Sequence, residues 1–547
     1  MKLKYITASL LAAGLFTTTS CVNDLEVFPL DPNVTTAEDA YATAEGYTQA
    51  LNKIYSVWAV SGQNAPDETD IIGLDAGNTV LLRCWFTLQT NPTDESKCSW
   101  PNAWNSVMNQ MTWSTTQVEP IEGAYQRAMF IVALVNEFMR NIGNAPAEID
   151  KELYTAEARY CRALAYYTLM DLFGRPPFIT EQNYSLAPAQ LETRADLFDW
   201  IESELLDIYD ALPDTPEYGH AGKYAVDALL SRMYLNAEVY TGTERYTDCI
   251  TRCNNILNSG RYDLADNYAE LFMADNTTNA NANKEFIFPI QADGVTMQSY
   301  GVGVFILATR SGSQGAESGI SGGWAGFRST GNLVRAFEFP SNDESTWTPE
   351  NIEDKRGIFY NNNGAVALDI TTNSIETFDN EGWAVYKFTN IGSDGNPGKN
   401  STFPDMDFPL FRLGEIYLNY AEAVARGGQG GNMSQAVNYI NALRDRGYGD
   451  TNHRISENWL TASATIGGTN TSVAYGNLLN ERQREMYFEC TRRTDLIRYG
   501  LYTGNSYIWV DKGGVITGVG TDSHFDLYPI PTTDISVNAN LEQNPGY

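Results

Sequence analysis

Residues 154–174 read YTAEARYCRALAYYTLMDLFG and carry the clearest helix signal in the chain. Small and aromatic residues recur in steps of four, three, four and three, at Ala156, Tyr160, Ala163, Tyr167 and Met170. This spacing places them on one stripe of an α-helix, which predicts that the stripe packs against a neighbouring element. Gly174 ends the predicted helix, and the prolines at positions 176 and 177 stop it from resuming.

The same pattern continues on both sides of this segment. The further predicted helices cover residues 195–212, 223–240, 246–259, 411–426, 434–446 and 476–499. Small-then-aromatic spacing on paired helices is similar to that of tetratricopeptide repeats, although the full consensus is absent. We therefore predict a mostly α fold, with a scaffold of degenerate tetratricopeptide-like helical hairpins.

The middle of the chain has a different composition. Residues 286–404 are dense in Gly, Asn, Ser and Thr, with short β-favouring pieces such as residues 286–288 and 383–388. Because helices flank this region, we predict a loop-rich insertion in a scaffold of about residues 40–285 and 405–500, within a single body of residues 21–547. Long loops on a rigid scaffold often carry binding residues, so the insertion is expected to bind the ligand.

Charge narrows the class of partner. The 547 residues include 68 acidic and 36 basic side chains, for a net charge of −32. A field of that sign repels phosphate backbones and anionic lipid headgroups, so no nucleic-acid partner is expected. Charged residues make up only 19% of the chain, and Asn, Gly, Ser, Thr and Tyr are abundant. A neutral, hydroxylated ligand would suit such a surface.

The first residues resemble a bacterial lipoprotein signal. Lys2 and Lys4 form a positive start, residues 6–16 are mainly apolar, and four small polar residues lead into Cys21. We predict a signal peptide of residues 1–20 and lipidation of Cys21; an ordinary secretory peptide that contains a cysteine is the alternative. No later run of about 18 apolar residues predicts a membrane span, so the lipid is expected to be the only membrane attachment.

Cysteine and histidine offer little chemistry. Of the seven cysteines, Cys84 and Cys98 could pair across a loop, a question that the sequence leaves open, while Cys249 and Cys253 are interpreted as small core residues. The three histidines, none in a Cys or His cluster, are His220, His453 and His524. A zinc site or a Ser-His-Asp triad is therefore not expected. In a chain this acidic, a glycosidase-like carboxylate pair can be neither found nor excluded by counting.

A further set of sequence motifs lies at residues 157–167, 171–174, 228–240, 408–415, 420–423, 481–489, 492–500, 528–531 and 544–547. Together these segments resemble the SusD/RagB family of outer-membrane nutrient-binding lipoproteins. We interpret the Arg and Glu side chains of residues 157–159 and 481–484 as ion pairs and helix–helix hydrogen bonds that hold the scaffold together. The resemblance implies a non-enzymatic lipoprotein on the outer membrane, facing the cell exterior beside a SusC-like TonB-dependent transporter.

Residues 83–100, 268–276 and 293–324 resemble the starch-binding member of this family more closely than the family at large. Matched residue by residue, this resemblance implies an aromatic arc of Trp100, Tyr300 and Trp324. It also implies hydrogen-bonding partners at Asp75, Arg83 and an asparagine, which we take as Asn102, with Asn105 as the alternative. A structural calcium ion near Asp275, Asp405 and Asp407 is a further implication, and a solvated acidic cluster is the competing interpretation.

Such residues suit a sugar because a pyranose ring has an apolar face and in-plane hydroxyls. A Trp or Tyr ring stacks on that face, with only two χ angles to restrict. Arg, Asp and Asn then bond adjacent hydroxyls and fix the orientation. We expect binding of starch-like α-glucan and its delivery to the transporter. The alternatives are another cargo, such as a fructan or a peptide; a glycoside hydrolase; and a structural lid that serves only the transporter.

Overall fold

The computed structural model describes residues 37–116, 118–372 and 378–547, so Cys21 and the predicted signal peptide lie outside the described residues. The helices of seven residues or more are α1 (Ala44–Ser56), α2 (Leu81–Thr90), α3 (Ala103–Gln110), α4 (Glu119–Asn141), α5 (Lys151–Phe173), α6 (Arg194–Asp207), α7 (Lys223–Leu235), α8 (Tyr246–Asn258), α9 (Leu413–Ala425), α10 (Met433–Tyr448), α11 (Gly476–Met486) and α12 (Arg492–Arg498). Shorter helices cover Ala37–Ala40, Ala237–Thr241, Ala280–Asn283, Gly303–Ile306, Gly331–Val334, Glu457–Thr461 and Thr532–Val537.

The strands are short. They are β1 (Ser96–Cys98), β2 (Phe286–Ile290), β3 (Phe327–Ser329), β4 (Phe359–Tyr360), β5 (Ala384–Val385), β6 (Phe408–Arg412), β7 (Ala464–Thr465) and β8 (Ser472–Val473). They form antiparallel pairs β1–β3, β2–β6, β4–β5 and β7–β8. The predicted mostly α fold with short strands is confirmed.

Helices that follow each other in the chain pack together, as in α4 with α5, α7 with α8, and α9 with α10. In α5 the carboxylate of Asp150 accepts the Leu153 amide at the start, and Gly174 ends the helix at φ 72°. The predicted stripe is buried throughout. These pairs match the predicted hairpins, while the likeness to tetratricopeptide repeats stays a prediction. No helix among the described residues is both long and apolar enough to cross a bilayer.

Two predicted helices are each divided in the structure. The helix predicted over residues 223–240 becomes α7 and the short helix Ala237–Thr241, with Asn236 between them. Residues 476–499 form two helices, α11 and α12, separated by Phe488 and Cys490, whose φ angles are 61° and 62°. The Phe488 amide leaves the helical pattern and donates to Glu95 at 3.0 Å. A contact with a residue almost four hundred positions away therefore overrides the local helical preference, which no pattern in the segment reveals.

The two ends of the insertion are held together, and its side chains pack into the hydrophobic core of the scaffold. Strands β2 and β6, at its two ends, pair with each other. Within it, the Phe305 ring packs between Phe86 of α2 and Phe408 of β6, with centroid distances of 4.9 and 4.7 Å. The loops of the insertion therefore start and finish on one rigid point of the scaffold.

A buried ionic cluster joins the helices to the insertion. Arg412 Nη1 lies 2.9 Å from a Glu285 carboxylate oxygen and 2.6 Å from one of Glu485, while Nη2 lies 2.7 Å from Glu489. Arg356 of the insertion also bonds Glu485, at 3.0 Å. All of these side chains are 0–1% exposed. Burial alone would raise the pKa of Glu485, yet the neighbouring arginines hold it well below its ordinary value. The ion pairing predicted for residues 481–484 is present next to this cluster, where Arg484 lies 2.6 Å from Glu481.

The described cysteines are buried free thiols, so Cys84 and Cys98 do not form a disulfide in this structure. Burial raises the pKa of both thiols to about 12, which keeps them protonated and unreactive. Cys249 and Cys253 are fully buried, as core residues are expected to be.

We expect Arg412→Met to lower the free energy of unfolding by about 3–5 kcal/mol, because three buried carboxylates lose a shared cation. Urea denaturation measures the change. The control is Arg454→Met, since Arg454 pairs with Asp445 at an exposed site and its loss should change stability little. Equal effects of the two substitutions would contradict the role given to the cluster.

Candidate functional site

Strand pairing places the two predicted tryptophans side by side. In the β1–β3 pair, Cys98 lies opposite Phe327, and the Ser99 amide donates to the Gly326 carbonyl at 2.9 Å. Trp100 follows β1 and Trp324 precedes β3, so both lie beyond the same end of this antiparallel pair. The indole Nε1 of Trp100 donates to the Trp324 carbonyl at 2.7 Å. The structure therefore unites two residues more than two hundred positions apart.

The three predicted aromatic residues form one continuous group. The ring centroids of Trp100 and Trp324 are 6.5 Å apart, with an interplanar angle of 50°. Those of Tyr300 and Trp324 are 6.0 Å apart, at 56°. All three side chains are half-buried. We call this group the aromatic arc; its tilted rings form a curved surface rather than a flat one.

Glycines allow the rings to lie close to the backbone. A β-carbon on Gly326 would lie 2.5 Å from Cε2 of Trp100, and one on Gly303 would lie 2.9 Å from Cη2 of Trp324. Ala325, which stands between Trp324 and Gly326 in the chain, adopts φ 49°, a left-handed backbone conformation that residues other than glycine rarely take. The amides of Trp324 and Ala325 bond the carbonyls of Leu307 and Arg310, which holds this conformation in place.

The guanidinium group of Arg83 contacts both tryptophans. Its guanidinium carbon is 5.2 Å from the Trp100 centroid and 5.3 Å from the Trp324 centroid. Its Nη1 donates to the Gly77 carbonyl at 3.0 Å and its Nη2 to Asn78 Oδ1 at 2.8 Å. Burial lowers the pKa of Arg83. The side chain therefore supports the rings by cation–π contact, and these two bonds leave it further N–H groups to donate.

Tyr300 completes the arc in a loop, not in a strand. The residues after it form a helical turn, Gly303–Ile306. Its hydroxyl donates to Asp67 at 3.1 Å, and its ring lies 5.4 Å from that of Phe403. Neither Asp67 nor Phe403 was predicted, because no spacing pattern links either residue to Tyr300.

The two predicted polar partners at the ends of the arc, Asp75 and Asn102, are both exposed but differ in their hydrogen bonds. Asp75 is exposed, accepts the Asn78 amide at 2.6 Å, and lies close to Gly77, which faces the Tyr300 ring. Asn102 is exposed at the start of α3 and makes no side-chain cap bond there. Its alternative, Asn105, is buried and donates to the carbonyls of Cys98 and Trp100 at 2.9 and 2.8 Å. Asn105 therefore holds the backbone, while the side chain of Asn102 lies exposed next to it.

The loop before Trp100 is tied to the C-terminal part of the chain. Arg492 donates to both oxygens of Asp94, at 2.7 and 2.6 Å, and the Tyr507 hydroxyl bonds the same carboxylate at 2.6 Å. Next to it, Glu95 is 2% exposed and accepts the Phe488 amide. Burial raises the pKa of Glu95 to about 8. These contacts fix the position from which β1 and Trp100 project.

We expect Glu95→Gln to remove a pH dependence of stability. The pKa of Glu95 is raised in the folded chain, so its contribution to stability is full below the ordinary value of about 4.5 and is lost as pH rises through 8. Between pH 5 and pH 8 the unfolding free energy of the wild type should therefore fall, relative to the variant, by more than about 1 kcal/mol. Urea denaturation at several pH values measures this difference. A constant difference across the range would show that Glu95 titrates normally.

The predicted calcium residues line one cavity but do not converge. Asp275, Asp405 and Asp407 all line a cavity of about 450 Å³. Asp407 accepts bonds from the Ala292 amide and the hydroxyls of Tyr218 and Thr277, at 2.7–2.8 Å. Burial raises the pKa of Asp407 to about 6.

Lys399 supplies a positive charge to this cavity, since its Nζ lies 2.9 Å from Asp293 and 3.9 Å from Asp405. Among the described residues, ligand-type side chains come within 4.8 Å in a group of three at Glu338, Glu353 and His453 instead, where Arg444 already pairs with Glu338. The aspartates offer the oxygen ligands that calcium prefers, yet as placed they do not form a converged set. The calcium ion stays a prediction.

Comparison with known families identifies the class of protein to which this chain belongs. A model described as "SusD family" matches residues 228–547, and one described as "Starch-binding associating with outer membrane" matches residues 78–235. The chain belongs to the SusD family.

Individual relatives agree with this assignment. The chain is 32% identical to the starch-binding protein SusD of Bacteroides thetaiotaomicron, over 100% of both chains. It is 25% identical to the SusD-like protein P2 of Formosa agariphila, over 78% of this chain and 81% of that one.

Among solved structures, surface glycan-binding protein A from Bacteroides thetaiotaomicron, in complex with laminarihexaose, has a TM-score of 0.65 at 19% identity; the match covers 92% of this chain and 99% of that one. A SusD-like protein from Bacteroides fragilis has a TM-score of 0.66 at 21% identity, over 95% and 100% of the two chains. At these identities the likeness concerns the fold.

Proposed function

We propose that this protein is a surface lipoprotein that binds starch-like α-glucan on the aromatic arc and delivers it to a SusC-like TonB-dependent transporter. The observation that carries the proposal is the arc itself. The rings of Trp100, Tyr300 and Trp324 are spaced at 6.0–6.5 Å, and Arg83 contacts both tryptophans. The 32% identity to a starch-binding protein supports the choice of glycan.

The geometry suits a coiled polysaccharide. Each ring can stack on the apolar face of one sugar, and the tilts between rings follow a curved chain better than a flat one. Asp75, Asn102 and the remaining N–H groups of Arg83 surround the rings with hydrogen-bonding groups for sugar hydroxyls. Stacking thus provides affinity, and the polar groups provide selectivity.

The proposed location and partner follow from the family. Lipidation at Cys21 would hold the protein on the outer leaflet, facing the exterior, and one matched family model is named for association with the outer membrane. A site built from a few stacked rings binds weakly, because binding must offset the ordering of a flexible glycan. Tethering beside a transporter, and repeated contacts along a polymer, would make weak binding effective.

We expect Trp100→Ala and Trp324→Ala each to raise the dissociation constant for maltoheptaose at least about tenfold, which corresponds to about 1.4 kcal/mol. Isothermal titration calorimetry measures the change. The matched control is Trp347→Ala, because Trp347 is also half-buried but stacks on Phe339 at 4.0 Å and is not part of the arc. Unchanged binding in both arc variants would leave the structural lid as the better interpretation.

We also expect the wild type to be retarded by amylopectin in native affinity electrophoresis, to bind maltoheptaose more tightly than laminarihexaose, and to leave maltoheptaose intact. The curved arc should prefer the more strongly coiled α-glucan, and no catalytic role is proposed for any residue. Preference for laminarihexaose or for a fructan would change the cargo while keeping the role. Shorter products that disappear when one carboxylate is replaced would establish a glycoside hydrolase instead.

A further inference from the structure

A cavity of about 170 Å³ adjoins the aromatic arc at Trp100. Besides Trp100, its walls include Ser99, Asn102, Ser106, Gln110 and Asp511. Neither Tyr300, Trp324 nor Arg83 lines it. The cavity therefore lies beyond the first ring of the arc, yet shares that ring and Asn102 with it.

Two residues of the cavity walls each carry a buried polar atom that has no hydrogen-bond partner within the part of the chain that the structure describes. These atoms are Oγ of Ser99 and Oδ1 of Asp511, in residues that are 6% and 2% exposed. A buried polar group without a partner is destabilising by about 1–3 kcal/mol, and such groups are few in folded proteins. Their presence in residues that line one cavity indicates a site that a hydrogen-bonding group completes.

The charge of this cavity indicates a neutral ligand. The other carboxylate oxygen of Asp511 lies 2.6 Å from Nζ of Lys97, and both side chains are nearly fully buried. Because Asp511 already pairs with Lys97 and interacts with the buried guanidinium of Arg328, the remaining oxygen is suited to accept a hydrogen bond from an uncharged donor rather than to bind a further cation. Ser99 can donate or accept, as a hydroxyl-bearing partner requires.

The outer wall is polar and accessible. Asn102 and Ser106 are exposed and Gln110 is half-exposed, and all three lie at or within α3. Their amide and hydroxyl groups can form hydrogen bonds with an uncharged, hydroxylated ligand, as the two buried atoms can. An accessible volume of about 170 Å³ equals roughly ten or more water positions, which is the scale of one pyranose unit of about a dozen non-hydrogen atoms.

We propose that this cavity, which we call the side subsite, takes one further sugar unit of a glycan whose neighbouring units stack on the arc. The inference rests on the proposed function, and it deepens that function by adding a position beyond Trp100. Hydroxyls of the sugar would donate to Asp511 Oδ1 and exchange bonds with Ser99 Oγ, while Trp100 forms the shared wall. A glycan long enough to reach the side subsite should therefore bind more tightly than one that covers the arc alone.

The test compares maltotriose with maltoheptaose by isothermal titration calorimetry. Ser106→Trp fills the cavity from its exposed wall, and Ser99→Ala removes one buried partner with little change of volume. We expect both variants to bind maltotriose as the wild type does. For maltoheptaose, we expect the affinity to fall about fivefold or more in Ser106→Trp and about two- to threefold in Ser99→Ala. Ser203→Trp, an exposed serine of α6, is the matched control and should bind both sugars normally.

Each outcome decides between the two proposals. Retained maltotriose binding shows that a variant is folded, and a loss confined to maltoheptaose supports the side subsite. If both variants bind both sugars as the wild type does, the side subsite is wrong while the proposed function stands. If they lose both sugars equally, with unchanged circular dichroism, the cavity is part of the arc and not an additional position. If the wild type itself binds neither sugar, the proposed function fails first.

Discussion

The buried pairing of Glu485 with three arginines is the interaction on which the rest of the structure depends. Arg356 comes from the insertion, Arg412 from β6 and Arg446 from α10, so one carboxylate of α11 joins four separate parts of the chain. Removing so many charges from water is costly, and the arrangement is stable only while every partner is present. Such a cluster specifies how the parts fit together more strongly than it adds to stability. The loops of the insertion can be long because their base is fixed in this way.

A second set of buried contacts fixes the geometry of the aromatic arc. Arg492 and Tyr507 hold Asp94, the β1–β3 pair extends from that point, and the two tryptophans follow directly. The proposed binding surface is therefore built by elements from three distant regions of the sequence. Its position is determined by buried ion pairs and short strands, and not by the conformational preferences of the loops that carry the rings.

The sequence predicts the local features well and the long-range ones poorly. The stripe of α5 and its end at Gly174 follow from spacing and backbone preference, and both are present. The break at Phe488 was missed because its cause is Glu95, far away in the chain. Trp100, Tyr300 and Trp324 were found only through family resemblance, since composition does not distinguish them from the other aromatic residues. Asp67 and Phe403 had no signal at all, because only the folded chain brings them to Tyr300.

The hydrogen bond from the Trp100 indole to the Trp324 carbonyl has a consequence for how the surface responds to change. Because Arg83 also contacts both rings, the two indoles are held together as one unit. Such a unit is pre-organised, so sugar binding at the proposed site would cost little entropy for ordering the two indoles. Its members are also thermodynamically coupled: removing either ring disturbs the other, and removing both should lose less than the sum of the two single losses.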